Sequence, residues 1–201
     1  MIAIIDYGVG NLKSLYNMFN KLGIVSVITS DIGEIKAAHR YVLSGVGSFD
    51  HGVKSLRNCS FFDTLEKEVL VEKKPVLGIC LGMQMLTNSS EEGLEKGLGW
   101  LDAQTVRFDL KQKDLPIPHM GWNSVEANDI STLFKELDQN RFYFVHSYHV
   151  VCNNPSNALA LSNYGEVFTC SISDGNIFGV QFHPEKSHKF GMQLLRNFDG
   201  L

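Results

Sequence analysis

Pro75-Val76-Leu77-Gly78-Ile79-Cys80-Leu81-Gly82-Met83-Gln84 is the stretch whose reading decides the fold. Residues 76–79 form a short apolar run of the kind that builds a strand buried on both faces. Gly78-Ile79-Cys80-Leu81-Gly82 has the G-x-nucleophile-x-G form of a strand-to-helix elbow, and residues 83–86 continue as an apolar helical stretch. At such a turn the glycines remove Cβ atoms that would collide, and the middle residue is lifted to the carboxyl end of the sheet. Open α/β sheets place their ligands at that end. A helix start beneath the sulfur favours thiolate, and the backbone N–H of Leu81 would face an oxyanion formed there. A lone G-x-C-x-G fits a buried core cysteine about as well, so the rest of the chain has to decide.

Upstream, the apolar run at 2–5 is followed by a turn with Gly8 and Gly10. Leu12, Leu15, Met18, Phe19 and Leu22 then recur at helical spacing until Gly23. Further apolar runs lie at 24–28 and 41–43, the last leading into Ser44-Gly45-Val46-Gly47-Ser48. Helical period returns at 60–72, with Ser60 as the expected N-cap. Alternating runs and helices predict βαβ units and a mostly parallel sheet with helices on both faces. Downstream, strands are expected at 104–108, 141–151, 158–162, 166–172 and 177–182, and helices at 131–137 and 187–198. The C-terminal half should therefore add antiparallel strands to the same sheet or pack a second sheet on it. With no internal repeat or low-complexity linker, residues 1–201 are expected to form a single α/β domain.

Composition narrows the function classes. A 44% hydrophobic and 20% charged chain excludes a disordered protein. The net charge of −4, with no basic stripe, speaks against nucleic acid, and no apolar run reaches the length of a membrane span. The N-terminal segment lacks a basic n-region, so no signal peptide is expected. The four cysteines, at 59, 80, 152 and 170, form no C-x-x-C pair, which suits a reduced, cytosolic protein.

A base for Cys80 is sought among seven histidines. His183 ends the 177–182 run and precedes Pro184 and Glu185. Residues two apart in extended chain project to one side, so Glu185 can fix one ring nitrogen and leave the other for Cys80. His183 alone would read as a surface turn residue; with an elbow cysteine and a carboxylate it reads as a triad. His146 and His149 should face opposite sides of a strand, and nothing supplies the ligand spacing of a metal site.

The motifs Gly78 to Gln84 and Phe178-Gly179-Val180-Gln181-Phe182-His183-Pro184-Glu185-Lys186-Ser187 resemble the class I, triad-type glutamine amidotransferases. Asp6-Tyr7-Gly8-Val9-Gly10-Asn11-Leu12, Pro118-His119-Met120-Gly121-Trp122-Asn123 and Val145-His146-Ser147-Tyr148 are similar to the glutaminase subunits of imidazole glycerol phosphate synthases. The resemblance extends from residue 2 to about 198. It implies an amidotransferase sandwich and a cysteinyl thioester on Cys80, with His183 as base and then acid and Glu185 as orienter. Backbone donors for the oxyanion would be Leu81 and Val46. Substrate would be held at Gly47, Gln84, Ser147 and Tyr148, with no cofactor. Asn11, Trp122 and Lys186 would face a (β/α)₈ cyclase that takes the ammonia and forms imidazole glycerol phosphate and the aminoimidazole carboxamide ribotide.

Trp122 on its residues alone would read as core filler; the family position makes it an interface anchor. Ser44 stands where the family usually has proline, which should leave the following loop freer. That departure admits a paralogous glutaminase feeding another synthase, such as one that modifies a surface sugar. A regulatory protein without activity is disfavoured by the complete Cys80-His183-Glu185 set. Gln84 and the 118–123 motif speak against a peptidase.

Overall fold

The computed structural model describes residues 1–110, 115–127, 133–137 and 140–201. In chain order the first half contains β1 (Ile2–Ile5), α1 (Leu12–Lys21), β2 (Ser26–Thr29), α2 (Ile32–Ala37), β3 (Arg40–Gly45), α3 (Phe49–Arg57), α4 (Phe62–Leu70), β4 (Val76–Cys80) and α5 (Leu81–Met85). Then follow β5 (Ser89–Ser90), β6 (Ala103–Arg107), β7 (His119–Ser124), β8 (Glu126–Ala127), β9 (Arg141–His146), β10 (Tyr148–Cys152), β11 (Ala158–Tyr164), β12 (Glu166–Asp174), β13 (Ile177–Val180) and α6 (His188–Asp199).

The main sheet runs β2-β1-β3-β4-β13-β12-β10-β6-β5. From β2 to β13 every pairing is parallel, and β13-β12-β10-β6 is antiparallel. Both expectations for the second half hold: antiparallel strands extend the sheet, and β7 with β9 makes a separate two-stranded one. β1 and β4 are buried along their whole length, as their unbroken apolar runs require. Two apolar clusters cover the sheet. One joins Leu43, Phe49, Leu65 and Met83; the other joins Ile4, Phe19, Phe142, Phe182 and Leu194.

β4 sits centrally, between β3 and β13. Its last residue is therefore flanked by the ends of both neighbours: Gly45 pairs with Cys80, and the chain leaving β13 leads to His183. The sheet order is what gathers residues 45–47, 80–84 and 181–185 in one place.

Several sequence expectations are corrected here. Ser60 is not an N-cap: the helix begins at Phe62, and Phe61 occupies the cap position with its ring buried. Burying an aromatic ring outweighs a capping bond worth about 1 kcal/mol. The strand expected at 141–151 breaks at Ser147 into β9 and β10, which belong to different sheets. The break shifts the side-chain phase, so His146 and His149 do not point apart: their rings lie 5.2 and 4.8 Å from Phe108. The helix expected at 131–137 falls partly outside the described residues, and Leu133 to Glu136 form turns instead.

The elbow tolerates no side chain at its second glycine. A Cβ on Gly82 would lie 1.7 Å from the Leu43 carbonyl oxygen, which is fixed backbone in β3. Gly82→Ala should therefore cost at least about 3 kcal/mol in urea unfolding. Gly8→Ala, at φ +83 with open space around it, should cost only about 1–2 kcal/mol of backbone strain. Equal losses at the two positions would contradict this account of the turn.

Candidate active site

Cys80 adopts φ 54°, ψ −111°, a left-handed conformation that a residue with a Cβ rarely takes. Such strain costs on the order of 1–3 kcal/mol and persists only where surrounding structure enforces it. Gly78 and Gly82 make room for it, since a Cβ on Gly78 would lie 2.7 Å from the Met83 backbone nitrogen, and the buried β4–α5 junction around them holds it. The thiol is held at the junction of β4 and α5, 8% exposed, on the wall of a cavity of about 280 Å³.

His183 and Glu185 come together as expected, but not along extended chain: Pro184–Lys186 is a 3₁₀ turn with His183 at its N-cap, and that turn brings the carboxylate to the ring. Nδ1 of His183 lies 2.8 Å from Oε1 of Glu185, and both side chains are almost fully buried. The His183 backbone is tied to the Tyr143 carbonyl, and Ser187 Oγ donates to the His183 carbonyl, so the ring is anchored from two elements. Nε2 is buried without a well-formed hydrogen bond, and Cys80 is the neighbour that acts on it. Burial alone would lower the imidazole pKa. Its polar interactions with Cys80 and then with Glu185 outweigh it and raise the value to about 9. A cationic imidazole beside a sulfur favours thiolate, and resting catalytic contacts are often loose until substrate binds. The set can therefore supply a nucleophile, a proton and a fixed tautomer.

The cavity is lined by Val46, Gly47, Cys80, Leu81, Gln84, Glu92, Pro118, His183 and the segment from Val145 to Tyr148. Every expected substrate residue, Gly47, Gln84, Ser147 and Tyr148, is thus on one wall or another. Gln84 is more committed than expected. Its Nε2 donates to the Tyr148 carbonyl at 3.1 Å and to Oε1 of Gln181 at 3.0 Å, which leaves its own Oε1 for a ligand. In the loop after β3, Gly47 has φ +111° with open space around it. Gly45 serves a different purpose: a Cβ there would lie 2.5 Å from the Tyr7 hydroxyl. That hydroxyl donates to the Ser44 carbonyl, so Ser44 is pinned and any freedom in the loop begins after it.

Sequence reading missed Glu92. It is the only acidic residue lining the cavity among the described residues, and its Oε2 accepts from the Phe49 N–H at the start of α3. Its loop is held by Asp50, which accepts from the Leu94 and Glu95 N–H groups, and by Arg57, which donates to the Lys96 and Gly97 carbonyls. Gln181, wholly buried, was also missed.

Of the residues expected to face a partner, Trp122 and Lys186 are joined through Tyr143. Trp122, 40% exposed on β7, stacks on His188 with ring centroids 5.5 Å apart. Lys186 Nζ lies 5.6 Å from the Tyr143 ring, and Tyr143 meets Trp122 edge-on. Asn11 is exposed at the start of α1, which packs against the segment from Pro184 to Lys186.

His146, on the cavity wall, and His119 behind it are buried and share a 2.9 Å hydrogen bond. Burial lowers both pKa values, to about 4 and about 3. An unfolded histidine takes up its proton near pH 6.5. Between pH 6.5 and 4 the unfolded chain then binds protons that the folded chain refuses, so stability falls as pH falls. The urea midpoint should drop across that window in the parent and more gently in His119→Phe. Parallel profiles would contradict the assignment of neutral rings.

Comparison with known proteins agrees with this geometry. The family described as "Glutamine amidotransferase class-I" matches residues 3–199. "Imidazole glycerol phosphate synthase subunit HisH 2" of Methanococcus maripaludis is 54% identical over 199 residues, 98% of either chain. The subunit of the same name from Pseudomonas aeruginosa is 47% identical, again over 98% of both. Among solved structures, PurLQS from Thermotoga maritima superposes with a TM-score of 0.71 at 16% identity, covering 99% of this chain and 97% of that one. A match over almost the full length, joined to the strained elbow and its histidine–carboxylate pair, places the chain in the class I glutamine amidotransferase family.

Proposed function

We propose that the chain is the glutaminase subunit of an imidazole glycerol phosphate synthase, and that Cys80, His183 and Glu185 are its triad. The observation that carries this reading is Cys80 in its positive-φ elbow, on a cavity it shares with His183, whose other nitrogen is fixed by Glu185. The thiolate of Cys80 attacks the side-chain amide carbon of glutamine. The oxyanion is met by the backbone N–H groups of Leu81 and Val46. His183 protonates the departing ammonia, leaving a thioester. A water molecule, giving its proton to His183, then attacks the thioester, and glutamate leaves as the C–S bond breaks and the thiolate reforms beside the protonated ring. Glu92, as the cavity's carboxylate, suits the substrate's α-ammonium, while Gly47, Ser147 and Tyr148 supply the facing wall.

Ammonia released into water is lost to synthesis, so hydrolysis should wait for an acceptor. Relatives named as subunits of imidazole glycerol phosphate synthase support a cyclase as that acceptor. The surface of Trp122, Lys186 and Asn11 is the proposed docking face for it. Gly47, the flexible end of the oxyanion loop, is the proposed point of control: one misplaced donor costs about 10²–10³ in rate.

The test measures glutamine turnover by the chain alone, with the cyclase, and with the cyclase and its ligand. Turnover should rise across the three, by about 10²-fold or more from first to last. Full activity in the isolated chain would overturn the control. Stimulation by another synthase and none by the cyclase would assign the chain to that synthase instead. Trp122→Ala should weaken cyclase binding by more than about tenfold.

A further inference from the structure

Gln181 is wholly buried, and its Nε2 lies 3.8 Å from Sγ of Cys80. Its orientation is not free. Tyr148 offers a carbonyl, which can only accept, so Gln84 must present its NH₂ group there. The second hydrogen of that group meets Gln181, which must answer with Oε1. Nε2 of Gln181 is then turned toward the sulfur.

The same logic runs the other way from Tyr148. Its carbonyl also lies 2.8 Å from His146 Nδ1, which must therefore donate. A neutral ring that donates from Nδ1 accepts at Nε2, so His119 Nδ1 donates to it. His119 Nε2 is left as an acceptor and receives Asn123 Nδ2 at 3.2 Å. Stacking on Tyr164 and Phe144, at 4.1 and 4.8 Å between centroids, holds the His119 ring in place. Burial keeps both rings neutral, so each bond has one possible direction. Nothing in the steps proposed for glutamine hydrolysis uses Gln181, His119 or His146.

We infer that Gln181 is a further catalytic residue, donating from its amide to the Cys80 sulfur, and that His119 and His146 are positioning residues that hold the Tyr148 carbonyl, which sets its direction through Gln84. The inference rests on Cys80 being the nucleophile. A thiolate has few donors in a site this buried, and one amide aimed at it stabilises the charge without supplying a proton that could quench it. The Tyr148 carbonyl fixes which way each amide faces, a choice that two glutamines alone would leave open, and the His146 hydrogen bond, itself directed by His119, holds that carbonyl in place.

The test is alkylation of the folded full-length chain with iodoacetamide between pH 5 and 10, read cysteine by cysteine by mass spectrometry, beside kcat and KM for glutamine. Gln181→Met keeps the length and removes the donor. It should raise the alkylation midpoint of Cys80 by about one to two pH units and lower kcat about 10- to 100-fold, the worth of one hydrogen bond to a charged group. His146→Phe should move the midpoint the same way. His146→Asn, whose amide stands where Nδ1 stood, should restore most of it, and this pair decides the matter even if Gln181→Met does not fold. An unmoved midpoint in folded Gln181→Met, or identical behaviour of the Phe and Asn variants, would overturn the inference while leaving the triad intact. Parent Cys80 reacting no faster than Cys59 would instead defeat the nucleophile assignment.

Discussion

Cys80→Ser should abolish ammonia release from glutamine, lowering kcat by at least about 10⁴-fold, while the unfolding midpoint in urea stays near that of the parent. Serine keeps the Cβ and fits the strained φ of 54° no worse than cysteine does, so the fold has no reason to fail. The oxygen is a far weaker nucleophile at neutral pH, and His183, its pKa held up to about 9, rests as a cation and not as a free base for a hydroxyl. Turnover within tenfold of the parent would show that another group attacks the amide.

His183→Ala should cost about as much, because the thiolate and the proton for departing ammonia both depend on this ring. Glu185→Gln should cost less, about 10- to 10⁴-fold, since it disturbs the tautomer without removing the base. The pKa of His183 also gives a direction. Its acid form is present below about pH 9, so kcat/KM in the parent should fall as pH rises through that value. A greater loss at Glu185 than at His183 would mean that the carboxylate has another role. Activity that climbs steadily past pH 10 would deny that a cationic His183 is required.

How much of this was legible in the sequence follows from the range of each signal. The elbow was legible because its geometry is local: the two glycines and the cysteine lie within five residues, and the steric demand acts across that turn. His183 and Glu185 were legible because they are only two residues apart, although the link between them is a 3₁₀ turn and not the extended chain expected from their spacing. Gln181 was not, although it stands beside them. Within the strand motif it reads as one more core-facing position, and only the fold brings Gln84 and Cys80 to its amide. Glu92 lies on a loop with no periodicity, and its place at the cavity depends on Asp50 and Arg57 from α3. That helix was itself hidden: Phe49, Gly52, Val53 and Leu56 share its buried face, but Gly52 reads as a breaker. Its hydrogen is what allows α3 to approach Leu81 and Met85, where a Cβ would lie 2.9 and 2.8 Å away. The pairing of His119 with His146 was concealed by the break at Ser147, which no alternation pattern announces.

The central claim is that one cysteine of four carries the chemistry. It is tested most directly by incubating the protein with an electrophilic glutamine analogue and mapping the adduct by mass spectrometry. The account predicts a single label on Cys80, blocked by excess glutamine, with Cys59, Cys152 and Cys170 unmodified. Burial raises the pKa of those three thiols and keeps them protonated. A glutamine-protected label on any of them, or none on Cys80, would contradict it.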